Sequence, residues 1–517
     1  MNDEDWGPFG RPLFEHPSAR ALRRIGVIDV GSNSVRLVVF DGAARSPAYF
    51  YNEKVMAGLG AGFSQTGRLN PEGRTRAIAA IKRFVHLAEA MDVNPLVAVA
   101  TAATREAEDG PAFREEIAQE TGLRLWVIDG LEEARLSAQG VLLGWPEAKG
   151  LVCDIGGSSM ELAEVGEGEV GRRATSALGP FKLFDVRGGK KGLKTYIRDQ
   201  LANLHHTIDG EYEQVYLVGG SWRAIARLDM IRRDYPLAVL HEYRMTRKSV
   251  SQTIDWISQH DVDELRRMSG IGESRMSLVP MACQVLKPLI QTYRPKGIAV
   301  SSYGVREGML YEHMAEQLRR RDPLIEASHQ LEVQDARFPG FGQTLYNFVV
   351  PLFPGTKAPQ RRLIKAACLL HDVTWRAHPD YRAEVCFDTA TRANLGGLSH
   401  EERVFLGLAL LHRYKNSRAG TRFEPLFELL PKEQQRMAEV LGKAMRFAAM
   451  FEPLESERLG SFRFFPKKKR LELRLTNWTQ ELFGEVAEAR IASLAKALES
   501  ELVVRAPSSR QRMSKGN

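Results

Sequence analysis

The sequence predicts an α/β protein that consists of two similar halves followed by a mostly helical region. Strand-like runs alternate with helical runs between residues 21 and 316, the pattern that gives an α/β fold. The motif D-x-G-x-x-S occurs at Asp29–Ser34 and again 125 residues later at Asp154–Ser159. Each copy lies between two short apolar runs, which is typical of a β-hairpin. A repeat of this length is too long for a solenoid and indicates two homologous half-domains.

Composition points to an ordinary globular protein. The 517 residues are 44% hydrophobic and 26% charged, with a formal net charge of +8. The four cysteines form no C-x-x-C pair, which is typical of a reducing compartment. The N-terminus is acidic, and no apolar run reaches about 18 residues, so neither a signal peptide nor a membrane span is expected. We therefore expect a soluble, cytoplasmic protein.

Residues 1–20 are rich in proline and predict a flexible leader. Residues 21–144 form the predicted first half-domain. Its elements follow from apolar runs and helical periodicity. They are strands Ile25–Asp29 and Val35–Phe40, helix Pro71–Met91, strand Leu96–Ala100, a helix from about Arg105, strand Leu123–Ile128 and a helix from Glu132 to about Leu143.

Residues 145–316 form the predicted second half-domain, which restarts the pattern with another hairpin. Its elements are strands Leu151–Asp154, Met160–Val165 and Gln214–Val218, the turn Gly219–Ser221, strand Ile298–Ser302 and helix Arg306–Met314. Strands that alternate with helices again indicate an α/β arrangement.

A mostly helical region is predicted for residues 317–500, and a disordered tail for residues 501–517. The predicted helices are Arg361–His371, Glu401–Leu411, Lys432–Met450 and Gln480–Glu499. One hairpin, Phe462–Phe465 with Leu471–Leu475, interrupts them.

The two turns have the composition of phosphate-binding loops. Small residues allow backbone N–H groups to converge on an anion, and Ser and Asn add neutral donors. One such turn is also common in plain hairpins, but its recurrence in a second half favours a pair of phosphate clamps. Asp29 and Asp154 repel phosphate, so they need Mg²⁺ between them and the ligand, or they orient water. Mg²⁺ is commonly held by one or two carboxylates and phosphate oxygens, and Asp154 with Glu161 suits this role.

A hydrolase also needs a group that activates water. Glu132 and Glu133 open a predicted helix, where their alternative role is charge pairing at the helix N-terminus. Arg105 follows a strand and is a candidate for bidentate phosphate binding, with a surface ion pair as the alternative. The chain has no G-x-x-x-x-G-K-[ST] loop and no G-x-S-x-G motif.

Five motifs together resemble the exopolyphosphatase/guanosine pentaphosphate phosphohydrolase (Ppx/GppA) family, strongly over about residues 22–312. These are Asp29–Ser34, Thr104–Ala107, Glu132–Leu136, Asp154–Leu162 and Arg306–Gly308. The resemblance implies two actin-like (ribonuclease H-like) ATPase-superfamily domains, followed by a degenerate HD-like helical domain.

The resemblance also implies a role for each site residue. Glu133 would be the catalytic residue that activates water, and Asp154 and Glu161 would bind Mg²⁺, with Mn²⁺ or a monovalent cation as further candidates. The phosphate-binding positions would be Gly31, Ser32, Asn33, Ser34, Arg105, Gly156, Gly157, Ser158 and Ser159. Possible additional site residues are Asp29, Gly219, Gly220 and Ser221.

The helical region contains His371-Asp372, which resembles the centre of HD phosphohydrolases. Such a centre needs another histidine roughly thirty residues upstream, and none lies between His329 and His371. We therefore interpret His371 and Asp372 as a packing pair that no longer binds a metal.

Four basic clusters predict that a long polyanion is guided along the surface, with binding that weakens in salt. They are Lys190–Lys194, Arg319–Arg321, Arg361–Lys365 and Lys467–Arg470. The first hypothesis is an exopolyphosphatase, and the second is a guanosine pentaphosphate phosphohydrolase. A third, from another class, is an inactive actin-like nucleotide switch or a nucleic-acid-binding scaffold. We expect a homodimer and do not expect a nucleic-acid or membrane partner.

Overall fold

The computed structural model describes residues 9–451 and 459–507. The chain divides into two compact units. One is Leu13–Pro323, and the other contains the described residues from Leu324 onward together with residues 9–12.

The first sheet of the Leu13–Pro323 unit has five strands in the order β3-β2-β1-β4-β5. Antiparallel pairing joins β1, β2 and β3, whereas β4 and β5 run parallel to β1. The strands are β1 Arg23–Val30, β2 Val35–Asp41, β3 Ala48–Val55, β4 Leu96–Ala100 and β5 Leu125–Val127.

The second sheet repeats this arrangement with one extra strand, in the order β10-β11-β9-β6-β7-β8. Its antiparallel run β6, β7, β8 corresponds to β1, β2, β3, and its parallel strands β9 and β11 correspond to β4 and β5. The strands are β6 Gly150–Ile155, β7 Met160–Gly166, β8 Glu169–Ser176, β9 Gln214–Val218, β10 Tyr243–Met245 and β11 Gly297–Val300. The predicted duplication of an α/β half is therefore confirmed.

Fifteen helices of this unit are described. They are α1 Pro17–Arg20, α2 Phe63–Thr66, α3 Pro71–Ala90, α4 Ala102–Glu106, α5 Gly110–Thr121, α6 Gly130–Gly144, α7 Pro180–Phe184, α8 Gly189–Thr207, α9 Gly220–Arg232, α10 Arg247–Ile257, α11 Val262–Ser269, α12 Glu273–Met276, α13 Val279–Tyr293, α14 Val305–His313 and α15 Glu316–Arg319.

Helices α6 and α14 pack between the two sheets and share one apolar core with both of them. Two glycines allow this close approach. A Cβ at Gly140 would lie 2.3 Å from the Gly304 carbonyl oxygen, and a Cβ at Gly308 would lie 1.8 Å from the Leu136 carbonyl oxygen. Separate cores cover the outer faces of the two sheets. The N-terminal end of α6 is thereby held near the ends of the central strands of both sheets.

The second unit is mostly helical, as predicted. Its α-helices are α16 Pro323–Asp335, α17 Phe341–Val349, α18 Ala358–Leu370, α19 Arg382–Arg392, α20 His400–Tyr414, α21 Glu424–Phe427, α22 Lys432–Ala448, α23 Asn477–Glu481 and α24 Glu485–Ala497. Short 3-10 helices cover Val350–Leu352, Ala449–Phe451 and Pro466–Lys468. A three-stranded sheet consists of β12 Ser461–Phe465, β13 Arg470–Arg474 and β14 Glu501–Arg505.

Two predictions at the chain ends are wrong within the described residues. The predicted disordered tail contains β14, which pairs in parallel with β13 in full register. Leu502, Val503 and Val504 favour a strand, and the pairing covers one edge of the predicted hairpin. The remaining tail residues, 508–517, lie outside the described residues.

The predicted flexible leader is ordered from residue 9 onward. It includes α1, and the side chains of Phe14 and Ala19 are buried. Ala19 belongs to the core between the two sheets, so apolar burial fixes this segment. Residues 1–8 of the predicted leader lie outside the described residues.

Within the described ranges, no helix is both long and apolar enough to cross a membrane.

Candidate active site

The two D-x-G-x-x-S motifs form turns of the same geometry, the first loop Gly31–Ser34 and the second loop Gly156–Ser159. In each loop the N–H of the first residue donates to the carbonyl of the last residue at 3.0 Å. In the described part of the chain, no backbone carbonyl accepts from the N–H groups of the two central residues of either loop. Such free, adjacent N–H groups form a concave donor surface that suits phosphate oxygens.

Neighbouring segments hold each loop in place. The Gly58 N–H donates to the Asn33 carbonyl at 3.0 Å, and the Gly60 N–H donates to the Ser32 carbonyl at 2.7 Å. In the second loop, the Gly157 carbonyl accepts from the Phe181 N–H at 2.8 Å. The backbone of both loops is therefore positioned before any ligand binds.

Glycine is favoured in the second loop for a reason that the sequence does not reveal. A Cβ at Gly157 would lie 2.8 Å from the ring of Phe181, so any other residue would require this ring to move. At Gly31 and Gly156 the nearest atom to an added Cβ is 3.5 Å away, an ordinary contact. Close packing of Phe181, rather than an unusual backbone angle, thus selects glycine at position 157.

Three residues beside each loop occupy equivalent positions, and two of these three positions differ in charge between the halves. Asp29 on β1 lies opposite Arg36 on β2, which in turn lies opposite Lys54 on β3. Asp154 on β6 lies opposite Glu161 on β7, which lies opposite Thr175 on β8. Directly opposite residues share one face of a sheet. The first half therefore presents one acid and two bases, and the second half presents two acids and a hydroxyl.

Glu133 lies in the first turn of α6 and is buried, with 8% of its surface exposed. Its Oε2 lies 3.7 Å from Nη1 of Arg105, and the same nitrogen donates to the Ile128 carbonyl at 2.8 Å. The Asp129 side chain caps α6 by accepting from the Glu132 N–H at 2.8 Å. Glu132 itself pairs with Arg135 at 2.6 Å, the helix-terminal role that was the alternative for these glutamates.

Four carboxylates repel one another in this site. Burial raises the pKa of Glu133 well above its usual value, and the charges of Glu161 and Asp154 raise it further. Burial and then Asp154 raise the pKa of Glu161 to about 8. The pKa values of Asp154 and Asp29 are also raised, mainly by burial. In the absence of a cation, the site therefore favours protonated carboxyls.

The donor set of the site fits a hard divalent cation. The Oε2 atoms of Glu133 and Glu161 are buried and lack a hydrogen-bond partner in the described chain. Thr175 donates to Oε1 of Glu161 at 3.0 Å, and Ser137 donates to Asp154. These hydroxyl groups orient both carboxylates. No group of three acidic, histidine or cysteine side chains in the described ranges converges closely enough to hold a metal by itself. A pair of carboxylates that shares the ion with phosphate oxygens suits Mg²⁺.

The turn Gly219–Ser221 lies beside the second loop. A Cβ at Gly219 would lie 2.4 Å from the Ile155 carbonyl oxygen and 3.0 Å from Oδ1 of Asp154. Gly219 has a φ of +112°, which favours glycine. Ser221 is buried at the start of α9. Of these three predicted residues, Gly219 thus packs against the Asp154 carboxylate, whereas a Cβ at Gly220 would lie 3.0 Å from Nε of Arg275.

Five cations around the cleft were not predicted to have a role. We call this set the basic cluster: Arg36, Lys54, Arg223, Arg275 and Arg306. Burial lowers the pKa of the first four, and repulsion from other members of the cluster lowers it further, to about 10 for Arg223. The Nε of Arg306 lies 3.9 Å from Oδ2 of Asp29. Cations that repel one another within a cleft provide a strong site for a polyanion.

The basic cluster has little signal in the sequence. Arg36 could have been predicted, because a turn at Gly31–Ser34 places it opposite Asp29. Arg306 belongs to a motif that was recognised but given no role. Lys54, Arg223 and Arg275 come from an edge strand and from two helices of the second half, and only the fold brings them together.

The surface clusters that were predicted to guide a polyanion have a mixed outcome. Lys365 is wrong as a guiding residue, because it is fully buried and donates to Gln343. Arg362 is mostly buried, and it donates to the Gly397 carbonyl at 2.6 Å. Lys190–Lys194 and Lys467–Lys469 have exposed lysines, so for them the guiding role stays a prediction.

The HD-like pair His371-Asp372 has a guanidinium beside it. Arg337 donates to both oxygens of the fully buried Asp372, at 2.7 and 2.6 Å. Burial opposes ionisation of Asp372, but Arg337 outweighs it, and the pKa of Asp372 is lowered. The His371 Nδ1 lies 2.8 Å from the Cys368 carbonyl oxygen. A guanidinium already neutralises the aspartate, which agrees with a packing role for this pair.

Comparison with known proteins identifies the family. The profile of the Ppx/GppA phosphatase family matches residues 38–317, and that of the C-terminal exopolyphosphatase domain matches residues 324–503. Exopolyphosphatase 1 of Mycobacterium leprae is 24% identical over 331 residues, which cover 61% of this chain and 95% of that protein. Guanosine-5'-triphosphate,3'-diphosphate pyrophosphatase of Pseudoalteromonas atlantica is 26% identical over 330 residues, which cover 59% of this chain and 61% of that protein.

Among solved structures, an exopolyphosphatase from Cytophaga hutchinsonii matches with a TM-score of 0.51 and 24% identity, over 56% of this chain and 97% of that chain. This likeness concerns the fold, and it confirms the predicted actin-like pair of α/β domains. The family profiles cover both the duplicated α/β halves and the helical region that follows. The chain therefore belongs to the Ppx/GppA phosphatase family.

Proposed function

We propose that this protein is an exopolyphosphatase that hydrolyses the terminal phosphate of inorganic polyphosphate. The observation that carries the proposal is Glu133, a buried carboxylate with an unpartnered oxygen beside Arg105 and near the acids of the second loop. Carboxylates with a raised pKa are effective general bases near neutral pH. Two facing phosphate loops without a base would only bind an anion, whereas Glu133 provides a route to hydrolysis.

In the proposed reaction, Glu133 accepts a proton from the water that attacks the terminal phosphorus. A new P–O bond forms while the anhydride P–O bond breaks, and the shortened chain leaves with the electron pair. The free N–H groups of both loops and the Arg105 guanidinium hold the oxygens of the transferred phosphate. Asp154 and Glu161 would hold Mg²⁺, which neutralises phosphate charge next to these acids; Mn²⁺ or an added monovalent cation are variants of the same proposal.

The basic cluster favours polyphosphate over a nucleotide as the substrate. Its five cations lie around the cleft, where the phosphates behind the terminal one would extend. Each charge-assisted contact to a phosphate contributes about 1.5–3 kcal/mol, so several contacts favour a chain of many phosphates. Guanosine pentaphosphate hydrolysis remains the second candidate, because one relative carries that printed activity and the same loops and base would serve it.

The test is phosphate release in the presence of Mg²⁺ from long-chain polyphosphate and, in parallel, from guanosine pentaphosphate. Glu133→Gln should lower turnover by about 10²–10⁴-fold, the range for loss of a general base. Glu132→Gln is the matched control, because Glu132 is the neighbouring carboxylate and pairs with Arg135 instead. It should keep near wild-type turnover.

Three results would change the assignment. Near wild-type turnover of Glu133→Gln would remove Glu133 as the base. Faster hydrolysis of the nucleotide at equal phosphate concentration would favour the second candidate. No release from either substrate by the wild-type protein, together with nucleotide or nucleic-acid binding, would favour the inactive switch or scaffold.

A further inference from the structure

Helix α7 is attached to the second phosphate loop. Its Phe181 N–H donates to the Gly157 carbonyl at 2.8 Å, and the Phe181 ring packs directly over Gly157. Gly179, which precedes the helix, lies so close to the loop that a Cβ there would be 2.2 Å from the Ser158 carbonyl carbon. Any movement of α7 therefore moves the second loop with it.

The other side of α7 contacts the first half of the fold through Lys182. The Lys182 Nζ donates to Oε2 of Glu106 at 2.8 Å and lies 5.3 Å from the ring centre of Phe63. Glu106 ends α4 and directly follows Arg105, which contacts the proposed base. Phe63 begins α2, and its N–H donates to the carbonyl of Gly60, the residue that holds Ser32 of the first loop.

Space remains around this contact. A cavity of about 340 Å³ lies between the two halves here. Its lining includes Ser32, Asn33, Ser158 and the phenylalanines Phe63, Phe181 and Phe184. Close packing does not fill this gap, so at this edge of the cleft the ion pair is a direct contact that bridges the two halves.

We propose that Lys182 is a positioning residue that sets the distance between the two phosphate loops and the place of Arg105. The inference rests on the proposed function, in which both loops and Arg105 hold the transferred phosphate. The ion pair is partly exposed, at 34% and 36% for the two side chains, and such pairs contribute little to the free energy of folding. Its loss should therefore alter the geometry of the site rather than unfold the protein.

The first test compares the turnover of single and paired variants on polyphosphate. Lys182→Met and Glu106→Gln should each lower kcat by about tenfold, because small misplacements of reacting groups are costly, while KM changes less. Lys182→Arg should restore most of the activity, and the exchange of Glu106→Lys with Lys182→Glu should restore part of it. Lys296→Met is the control, since Lys296 also forms a lysine–glutamate pair, with Glu213 at 2.5 Å, that is more exposed.

A role in attracting substrate predicts a different result. In that case Lys182→Met would raise KM and Glu106→Gln would lower it, with kcat unchanged, and the inference would be overturned. Equal loss of kcat in Lys182→Met and Lys182→Arg would also overturn it, because the ion pair would then not matter.

The second test does not depend on activity. Spin labels at Gln65→Cys and Arg187→Cys, both exposed, report the distance between the halves, and the four native cysteines are buried. Lys182→Met should broaden the distance distribution, and Lys182→Arg should not. An unchanged distribution in Lys182→Met would refute the inference. Broadening in a protein that releases no phosphate would instead support the positioning contact and contradict the proposed function.

Discussion

Replacing Glu161 by glutamine should stabilise the metal-free protein at alkaline pH. Burial and Asp154 raise the pKa of Glu161 from 4.5 to about 8. Between these values the unfolded chain has lost the proton and the folded chain retains it, so the free energy of unfolding falls as the pH rises through this window. At about 1.4 kcal/mol per pKa unit, a pKa raised by this amount lowers the free energy of unfolding by about 5 kcal/mol at high pH.

The amide retains the hydrogen bond from Thr175 but leaves its buried NH₂ group without a partner, which costs about 1–2 kcal/mol. We therefore expect Glu161→Gln to raise the free energy of unfolding by about 3 kcal/mol at pH 9 in a chelator, and to lower it slightly at pH 5. Urea unfolding at both pH values measures the difference. Mg²⁺ should stabilise the wild type and not the variant, and the variant should lose polyphosphate hydrolysis.

Glu164 provides the matched control on the same strand. Hydrogen bonds from Arg172 lower its pKa despite partial burial, so Glu164→Gln should destabilise the protein at pH 9. The reasoning is refuted if Glu161→Gln is less stable than the wild type by the same amount at pH 5 and at pH 9. In that case the charge of Glu161 in the wild type would not destabilise the folded protein.

Two further predictions concern the basic cluster and the helical unit. Arg306→Gln should raise the KM for polyphosphate by about tenfold or more, because a charge-assisted contact contributes about 1.5–3 kcal/mol. Arg198→Gln, at an exposed position outside the cluster, should leave the KM unchanged. Initial rates of phosphate release measure both KM values, and equal values would contradict the role of the cluster. Arg337→Met should destabilise the helical unit by about 1–3 kcal/mol, because the buried Asp372 would lose both side-chain hydrogen bonds from Arg337 and keep Arg413, 3.9 Å away, as a nearby cation. Unfolding curves that match those of the wild type would contradict this.

The hairpins and the central strands could be predicted because their apolar runs are bounded by small turn residues. The edge strands β3 and β8 were not predicted. Residues of β8, such as Arg172 and Arg173, are polar and mostly exposed, so no alternation marks the strand. Strand β14 was missed for another reason: its five residues pair with a strand about thirty residues earlier, and this contact is invisible in a local pattern.

The candidate site shows the same limit. The two loops and Glu133 lie within short sequence motifs, so these residues could be recognised from the sequence. The raised pKa values of Glu133 and Glu161 could not, because they depend on burial and on charges from separate elements. Phe181 was also missed, although its ring packs so closely on position 157 that glycine is favoured there. Its contact with the loop arises when the chain returns to the loop after strand β8.

The mirrored pairs Asp29–Arg36 and Asp154–Glu161 give the cleft a direction. The second half pairs two acids at this position, whereas the first half pairs an acid with a cation. Under the proposed function, a divalent ion would therefore bind beside the second loop, and a bound chain would have one orientation in the cleft. Linear polyphosphate has two identical ends, so either end fits this one-way cleft. Guanosine pentaphosphate, in contrast, has two different ends, a 5'-triphosphate and a 3'-diphosphate. Under the proposed function, a single polyphosphate molecule thus offers two equivalent starting points, and its initial rate of hydrolysis should depend on the number of chain ends rather than on the total phosphate.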